Sequence, residues 1–202
     1  MKKATLFFPF LLMSFVIFAQ DPEEDETINR GFKKENLFTG GNVIASFYSG
    51  GTTLGVSPHF GYSVTNWLDV AASLNFIYTG QRDEFETKYR QTNIGPGAFI
   101  RVFPLPFLFV QGQYERNFQT LKVIPFNGTQ YKIKENVNSV LMGAGFASGR
   151  EKGNNTYYYF AVMLDVLKKP NSPYVDSRGQ IIPVIRAGFN IALFQSNRNR
   201  SF

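Results

Sequence analysis

Six ionisable residues stand where any chemistry of this chain would have to happen: His59, Asp69, Arg101, Glu115, Asp165 and Arg186. His59 is the only histidine, and Ser57 and Ser63 share its parity along the chain. A serine, a histidine and a carboxylate are the ingredients of nucleophilic hydrolysis, but they must converge beside a substrate to perform it. Zinc has no ligand set with one histidine and no cysteine, and the lack of cysteine also removes disulfides and an acylated cysteine. The glycines of FTGG and YSGG make no phosphate loop, because no helix start or lysine follows at the required spacing. No catalytic residue, metal or cofactor is therefore assigned. The six are read instead as one lumenal polar network, three acids set against two arginines and His59.

The elements that would hold such a network are strands. From residue 37 to residue 195, apolar and polar residues alternate in segments of about 10–12 residues, the pattern of a half-buried strand. In WLDVAASLNFIY, Leu68, Val70, Ala72, Leu74, Phe76 and Tyr78 share one face, and Asp69, Ala71, Ser73 and Asn75 the other. Charges at mid-strand on the second face would cost roughly 2–4 kcal/mol if a basic one met lipid at the membrane midplane. Turned inward and paired, they become an interior. The pattern predicts an all-β, eight-stranded antiparallel transmembrane up-and-down β-barrel, with strands at 37–48, 53–64, 67–78, 92–103, 107–118, 136–148, 156–167 and 181–195. Short turns at 64–67, 103–107 and 149–155 lie on one side, with both termini. The turn at 49–52 and polar loops at 79–91, 119–135 and 168–180 lie on the other, as short periplasmic turns face longer outer loops in bacterial barrels.

Pro58, Pro96 and Pro183 fall inside these strands, so bulges are expected there. Phe99, Phe109, Leu141, Tyr157, Tyr159 and Met163 have inward parity and would fill a lumen that eight strands leave barely wide enough for side chains. Aromatics near strand ends predict two interfacial girdles, with Tyr48, Tyr78 and Tyr114 toward the loops and Tyr62, Trp67 and Phe103 toward the turns. Trp67 has inward parity, which conflicts with that place.

Outside the barrel, residues 1–19 carry Lys2 and Lys3 ahead of a short apolar stretch ending at Ala19, the form of a signal peptide. Residues 20–36 open on the acidic run DPEEDE and read as a flexible periplasmic tail; residues 196–202 form a short C-terminal tail. The composition of 22 Phe, 10 Tyr and 18 Gly with 44% hydrophobic residues suits a barrel rather than a helical membrane protein. The net charge of +6 forms no dense patch, and nucleic acid is not an expected partner of an exported chain.

The segments VSPHFGYSVTNWLDVAASLNFIY and NIGPGAFIRVFPLPFLFVQGQYER carry a resemblance to small outer-membrane β-barrel proteins of the Bacteroidota. In those, a strand like SPxxGYxVTxxL precedes a strand like GPFxRYF. Here the latter reads GPGAFIRVF (95–103), with two extra residues, Gly97 and Ala98, between proline and phenylalanine. The last strand also resembles the signal read by the barrel-assembly machinery, with Arg186, Gly188, Ile191, Leu193 and Phe194 in its places. The resemblance implies the cell outer membrane as location, its lipid and the assembly machinery as partners, and no particular activity. The function expected is a non-enzymatic barrel that is structural or meets an envelope protein or glycan through its loops or tail. A small channel or ligand carrier is the alternative, and a lipid-modifying barrel enzyme a further one. A lipocalin-like soluble barrel would reverse the parity; the girdles, the assembly signal and the resemblance decide against it.

Overall fold

A computed structural model describes residues 32–48, 51–82, 87–126, 128–150, 154–176 and 179–194. The expected signal peptide, most of the acidic tail and the C-terminal tail lie outside the described residues. Alternation dictates the rest. Eight strands run β1 (Leu37–Tyr48), β2 (Gly51–Thr65), β3 (Leu68–Arg82), β4 (Lys88–Leu105), β5 (Leu108–Ile124), β6 (Tyr131–Ser148), β7 (Tyr157–Asp165) and β8 (Val184–Ala192). Each pairs antiparallel with its neighbours in sequence, and β1 closes on β8 through pairs from Phe38↔Ala192 to Ala45↔Ile185. Closure leaves no sheet edge, so every strand can satisfy its backbone without water.

The outer face carries Leu54, Val56, Phe60, Val64, Ile94, Ile100, Val110, Phe160, Val162, Leu164, Phe189 and Ile191, all exposed. The inner face is buried and mixed, with Phe99, Phe109, Leu141, Tyr157, Tyr159 and Met163 beside the charged groups. β7 and β8 have nine residues each, close to the roughly 9–11 that a tilted strand needs to cross a bilayer. A 3-10 turn, Lys34–Asn36, precedes β1, and the Asn36 side chain donates to the Ser63 carbonyl at 2.9 Å. The end of the expected tail is thus seated on β2.

Two expectations about the wall change. The polar segments 79–91 and 119–135 are largely strand, since β3 to β6 continue as ladders to Arg82↔Lys88 and Val123↔Tyr131. From Tyr131 to Asn136 both parities are exposed. Neither face there is buried, so no core imposed alternation on the sequence. Secondly, the register does not shift at the strand prolines. Val56↔Phe76 and His59↔Ser73 keep one register across Pro58, as Ile94↔Phe118 and Gly97↔Glu115 do across Pro96. Each proline drops pairs from one ladder without inserting a residue, and Pro183 stands just before β8. The register shifts observed lie at the turn end, between Ser63 and Thr65 and between Val102 and Leu105.

Inward glycines make room for inward bulk. A Cβ on Gly145 would lie 2.4 Å from the Phe109 ring, and one on Gly40 would lie 2.1 Å from the Phe189 carbonyl and 2.8 Å from His59 Nε2. The strands pack side chains across the lumen only because these positions have none.

Candidate functional site: a lumenal network and its plug

β5 supplies the spine. Its inward positions Gln111, Gln113, Glu115, Asn117 and Gln119 succeed one another at the two-residue period, all amides but one carboxylate. Gln111 Nε2 donates to Gln113 Oε1 at 2.9 Å, and Gln113 Nε2 donates to Glu115 Oε1 at 2.9 Å. Arg186, across the lumen on β8, donates to Gln113 Oε1 at 2.7 Å and pairs with Glu115 Oε1 at 2.8 Å. Arg101, on β4, directs Nε and Nη2 at Gln111 Oε1 (3.0 and 2.8 Å) and Nη1 at the Tyr157 hydroxyl (2.8 Å). Among the described residues Arg101 pairs with no carboxylate. Its guanidinium lies over the rings of Tyr159, Phe109 and Phe99, at 4.2, 4.6 and 4.9 Å from their centroids. Such contacts are worth about 2 kcal/mol or more when desolvated, and they take the place of an ion pair.

The Tyr157 hydroxyl donates onward to Asp69 Oδ2 at 3.1 Å. Asp69 pairs with Arg150 at 2.9 Å and accepts from Ser63 Oγ at 2.8 Å. Arg150, absent from the sequence-based set, comes from the β6–β7 turn and folds back into the barrel mouth. There its guanidinium sits 3.6 Å above the Phe103 ring and donates to the Asn66 carbonyl at 2.8 Å. His59 joins through Asn190, whose Nδ2 donates to Tyr157. Asn190 presents its Oδ1 to His59 at 2.9 Å, which assigns the ring proton to Nε2.

The chain of contacts therefore runs unbroken from Arg150 at the turn end through Asp69, Tyr157, Arg101, Gln111, Gln113 and Glu115. It ends on Tyr174, whose hydroxyl donates to Glu115 Oε2 at 2.6 Å. Tyr174 belongs to the β7–β8 loop. This segment was expected as a polar loop; its residues 172–175 are buried and plug the barrel at its loop end. Ser172 Oγ, in the same plug, makes a 2.5 Å bond to Asp165 Oδ2. Among the described residues Asp165 pairs with no cation. It accepts the backbone N–H groups of Val140 and Leu167 and terminates a second relay, Asn93 to Asn117 to Ser139 to Ser172. With Ser172 donating to Asp165, Ser139 must donate to Ser172, so the relay points at the carboxylate.

Of the six residues named from sequence, five share one network and Asp165 holds a second. The sequence named no partners within the set; in the structure Asp69 takes Arg150, Glu115 takes Arg186, and Arg101 takes amide, hydroxyl and rings. Among the described lumenal residues, three carboxylates (Asp69, Glu115, Asp165) face three guanidiniums (Arg101, Arg150, Arg186), all buried. The hydrolytic triad is not assembled, because His59 is bonded to Asn190 and Ser63 to Asp69, with Phe99 in edge contact on His59.

The girdle residues divide. Tyr78 and Tyr114 are exposed on the outer face, Tyr62 is half-buried at the turn end, and Trp67 is exposed on the two-residue β2–β3 turn, free of the expected inward conflict. Tyr114 pairs with Ala98 and Val140, well inside a strand that runs on to Ile124, and so lies mid-wall rather than at an end. Phe103 is corrected to an inward position: Val102 points out, so its neighbour points in and lies beneath Arg150. Tyr48 is likewise on the inward parity of β1 and lines a pocket at the loop end. In the candidate assembly signal, Arg186 is committed to Glu115, and Ile191 and Phe194 are exposed. Leu193 N–H donates to the Leu37 carbonyl at 2.8 Å. A Cβ on Gly188 would lie 2.4 Å from the Gly41 carbonyl, so packing alone demands glycine there.

No protein-family model matches the chain, and no curated protein matches it in sequence. Among solved structures it is similar to Ail, the attachment invasion locus protein of Yersinia pestis in complex with the heparin analogue sucrose octasulfate. The TM-score is 0.47 at 10% identity, covering 77% of this chain and 96% of Ail. The N-terminal β-barrel domain of Pseudomonas aeruginosa OprF gives 0.46 at 17%, covering 78% and 98%. Neisserial surface protein A gives 0.43 at 13%, covering 78% and 96%. At these identities and TM-scores the likenesses transfer no residue role to this chain.

Proposed function

We propose that the chain is an integral outer-membrane β-barrel without enzymatic activity. Its interior is a structural strut, and its contacts with other envelope components are made at the loop end. The observation that carries this reading is the filled, charge-balanced lumen, bonded from Arg150 to the Tyr174 plug with no gap in the chain of contacts. Among the described residues three buried carboxylates stand against three guanidiniums, so the lumen carries no net charge from them, and the plug stands across the path. The apolar outer face and the nine-residue crossing strands support residence in a bilayer. Outer-membrane lipid and the barrel-assembly machinery are the partners this location implies.

The test is reconstitution of the full chain in planar bilayers. Stable, large single-channel conductance overturns the reading; a silent membrane, with insertion confirmed by heat-modifiable mobility, is the outcome expected.

A further inference from the structure

The basic residues of this chain are scattered in sequence, but the ladders of β4, β5 and β6 draw five of them onto one face. Arg90, Arg116, Lys122, Lys132 and Lys134 occupy even positions, as do the outward residues Ile94, Tyr114, Phe118 and Met142. All five therefore point away from the lumen. The register sets Arg90 opposite Lys122 and Lys122 opposite Lys132, three cations in a row about 10 Å long. Thr120 pairs with Lys134 and Arg116 with Asn138, so the other two cations flank that row on the side of the turns.

Like charges directly opposite on a sheet face repel, and no carboxylate of this hairpin is placed to relieve them. From Arg116 to Lys134 the sequence contains no Asp or Glu, and β4 contains none along its length. The acids that bracket the stretch, Glu115 and Glu135, have inward parity. Glu115 is bonded to Arg186, and Glu135 lines the cavity inside the loop end. Among the described residues none of the five cations pairs with a carboxylate. Arg82 and Lys88 share the face but border the acidic residues 83–86, and the band stands without them.

The level of the band decides which anion it meets. One step toward the turns, β4 and β5 present Ile94 and Phe118 to the outside, paired with each other and exposed. Arg116 stands at this border, between outward Tyr114 and Phe118, with its guanidinium 5.6 Å from the Phe118 ring centroid. A long cationic side chain at the edge of an apolar wall keeps its stem on the wall and lifts its head to the polar layer. The band thus lies where lipid headgroups would stand, continuous with the wall their chains would cover. A guanidinium forks onto two phosphate oxygens and an ammonium acts as a point charge, so mixed Arg and Lys suit a phosphate. A soluble anion would use the cations but not the apolar wall beneath them. A phosphorylated lipid uses both.

From this geometry we infer that the outward band of Arg90, Arg116, Lys122, Lys132 and Lys134 binds the phosphate headgroup of an anionic lipid in the leaflet on the loop side. The inference rests on the reading of the chain as a barrel whose outer face meets lipid, and names the lipid class which that face selects.

The experiment uses the full chain in maltoside micelles, which carry no phosphate, with backbone amide shifts followed by NMR. The probes are dioctanoyl phosphatidic acid, dioctanoyl phosphatidylcholine and inorganic phosphate. Phosphatidic acid is expected to shift amides at 90–92, 116–122 and 132–138, and to bind at least about tenfold more tightly than the other two. Lys122→Gln with Lys132→Gln is expected to weaken it roughly tenfold or more, from the strength of a lysine near an anionic headgroup layer. Lys33→Gln with Lys34→Gln removes as much charge from exposed positions at the turn end and is expected to change binding less than about twofold. In micelles without added lipid, the Lys122 and Lys132 double variant should unfold at an equal or higher urea concentration, because repulsion is relieved. A lower midpoint would show that these lysines are paired inside the protein and overturns the premise. Equal binding of phosphatidylcholine overturns selection for an anionic headgroup, and equal binding of inorganic phosphate overturns the lipid as its source. Shifts confined elsewhere, or none, overturn the site. Nuclear Overhauser contacts from maltoside chains to the Ile94, Ile100 and Val110 side chains separate the two readings. With those contacts present and no anion selectivity, the headgroup assignment alone falls; without them, the lipid-facing wall falls as well.

Discussion

Tyr174→Phe removes one hydroxyl and tests whether the network holds the plug. The bond lost is the 2.6 Å contact to Glu115 Oε2. A hydrogen bond to a charged group contributes about 1.5–3 kcal/mol. Glu115 keeps Arg186 and Gln113, so the carboxylate is not orphaned and the cost belongs near the lower part of that range, about 2 kcal/mol. At 1.4 kcal/mol per tenfold, the plug should open roughly 30 times more often. Two amides report on it: Ile182 N–H, bonded to the Tyr174 carbonyl at 2.9 Å, and Val175 N–H, bonded to the Ser172 carbonyl at 3.2 Å. Hydrogen exchange of peptides covering residues 171–183, in micelles, should accelerate by that factor while peptides from β5 and β6 stay unchanged. Acceleration of less than about threefold would mean that crowding rather than Glu115 seats the plug. Equal acceleration in β5 and β6 would mean that the substitution weakens the barrel as a whole. Either result refutes the reasoning.

The remaining predictions concern the barrel itself, read as urea midpoints in lipid vesicles. Asp69→Ala strands the Arg150 guanidinium in a buried site and should cost about 3–5 kcal/mol, whereas Asp69→Ala with Arg150→Leu should recover part of that loss. Arg101→Met leaves no carboxylate unpaired and should cost less than Asp69→Ala, about 1–3 kcal/mol; a larger loss would show that Arg101 balances charge at a distance. Gly40→Ala places a Cβ 2.1 Å from the Phe189 carbonyl and should cost about 1–3 kcal/mol through backbone shifts. Ile100→Arg on the outer face should cost about 2–4 kcal/mol if that face meets lipid, and a neutral result would argue against the bilayer reading.

The wall was legible wherever a membrane or a core disciplined the sequence. β1 matches its expected bounds, and β2, β7 and the turn ends of β3 to β6 fall within a few residues of theirs, because lipid outside and lumen inside force the two-residue period. Where β6 rises above that zone, from Tyr131 to Asn136, both faces are exposed. There the period vanishes from the sequence although the backbone ladder persists, so strands were read as loops. Phe103 and Tyr48 show the opposite error. Their residue type suggested an interfacial girdle, but parity is fixed by the neighbours: Val102 and Phe47 point outward, so Phe103 and Tyr48 point in. Where the two signals disagree, the period carries the geometric constraint and the residue type only a preference.

The lumenal residues were legible as inward charges but their partners were not, and the reason is topological. Parity says which face a residue occupies and nothing about who stands opposite across the barrel. Arg186 meets Glu115 and Asp69 meets Arg150 through contacts 71 and 81 residues apart in sequence. Arg150 escaped notice because it sits in a turn, outside any alternating run. The run Gln111, Gln113, Glu115, Asn117 and Gln119 was the signal available for the spine. Five successive amide or carboxylate residues on one face of a strand cannot face lipid and cannot be left unpaired inside. Such a face demands partners across the lumen, but three polar connections, 79–91, 119–135 and 168–180, were expected at the loop end, and hydrogen-bond accounting alone did not say which of them would fold in.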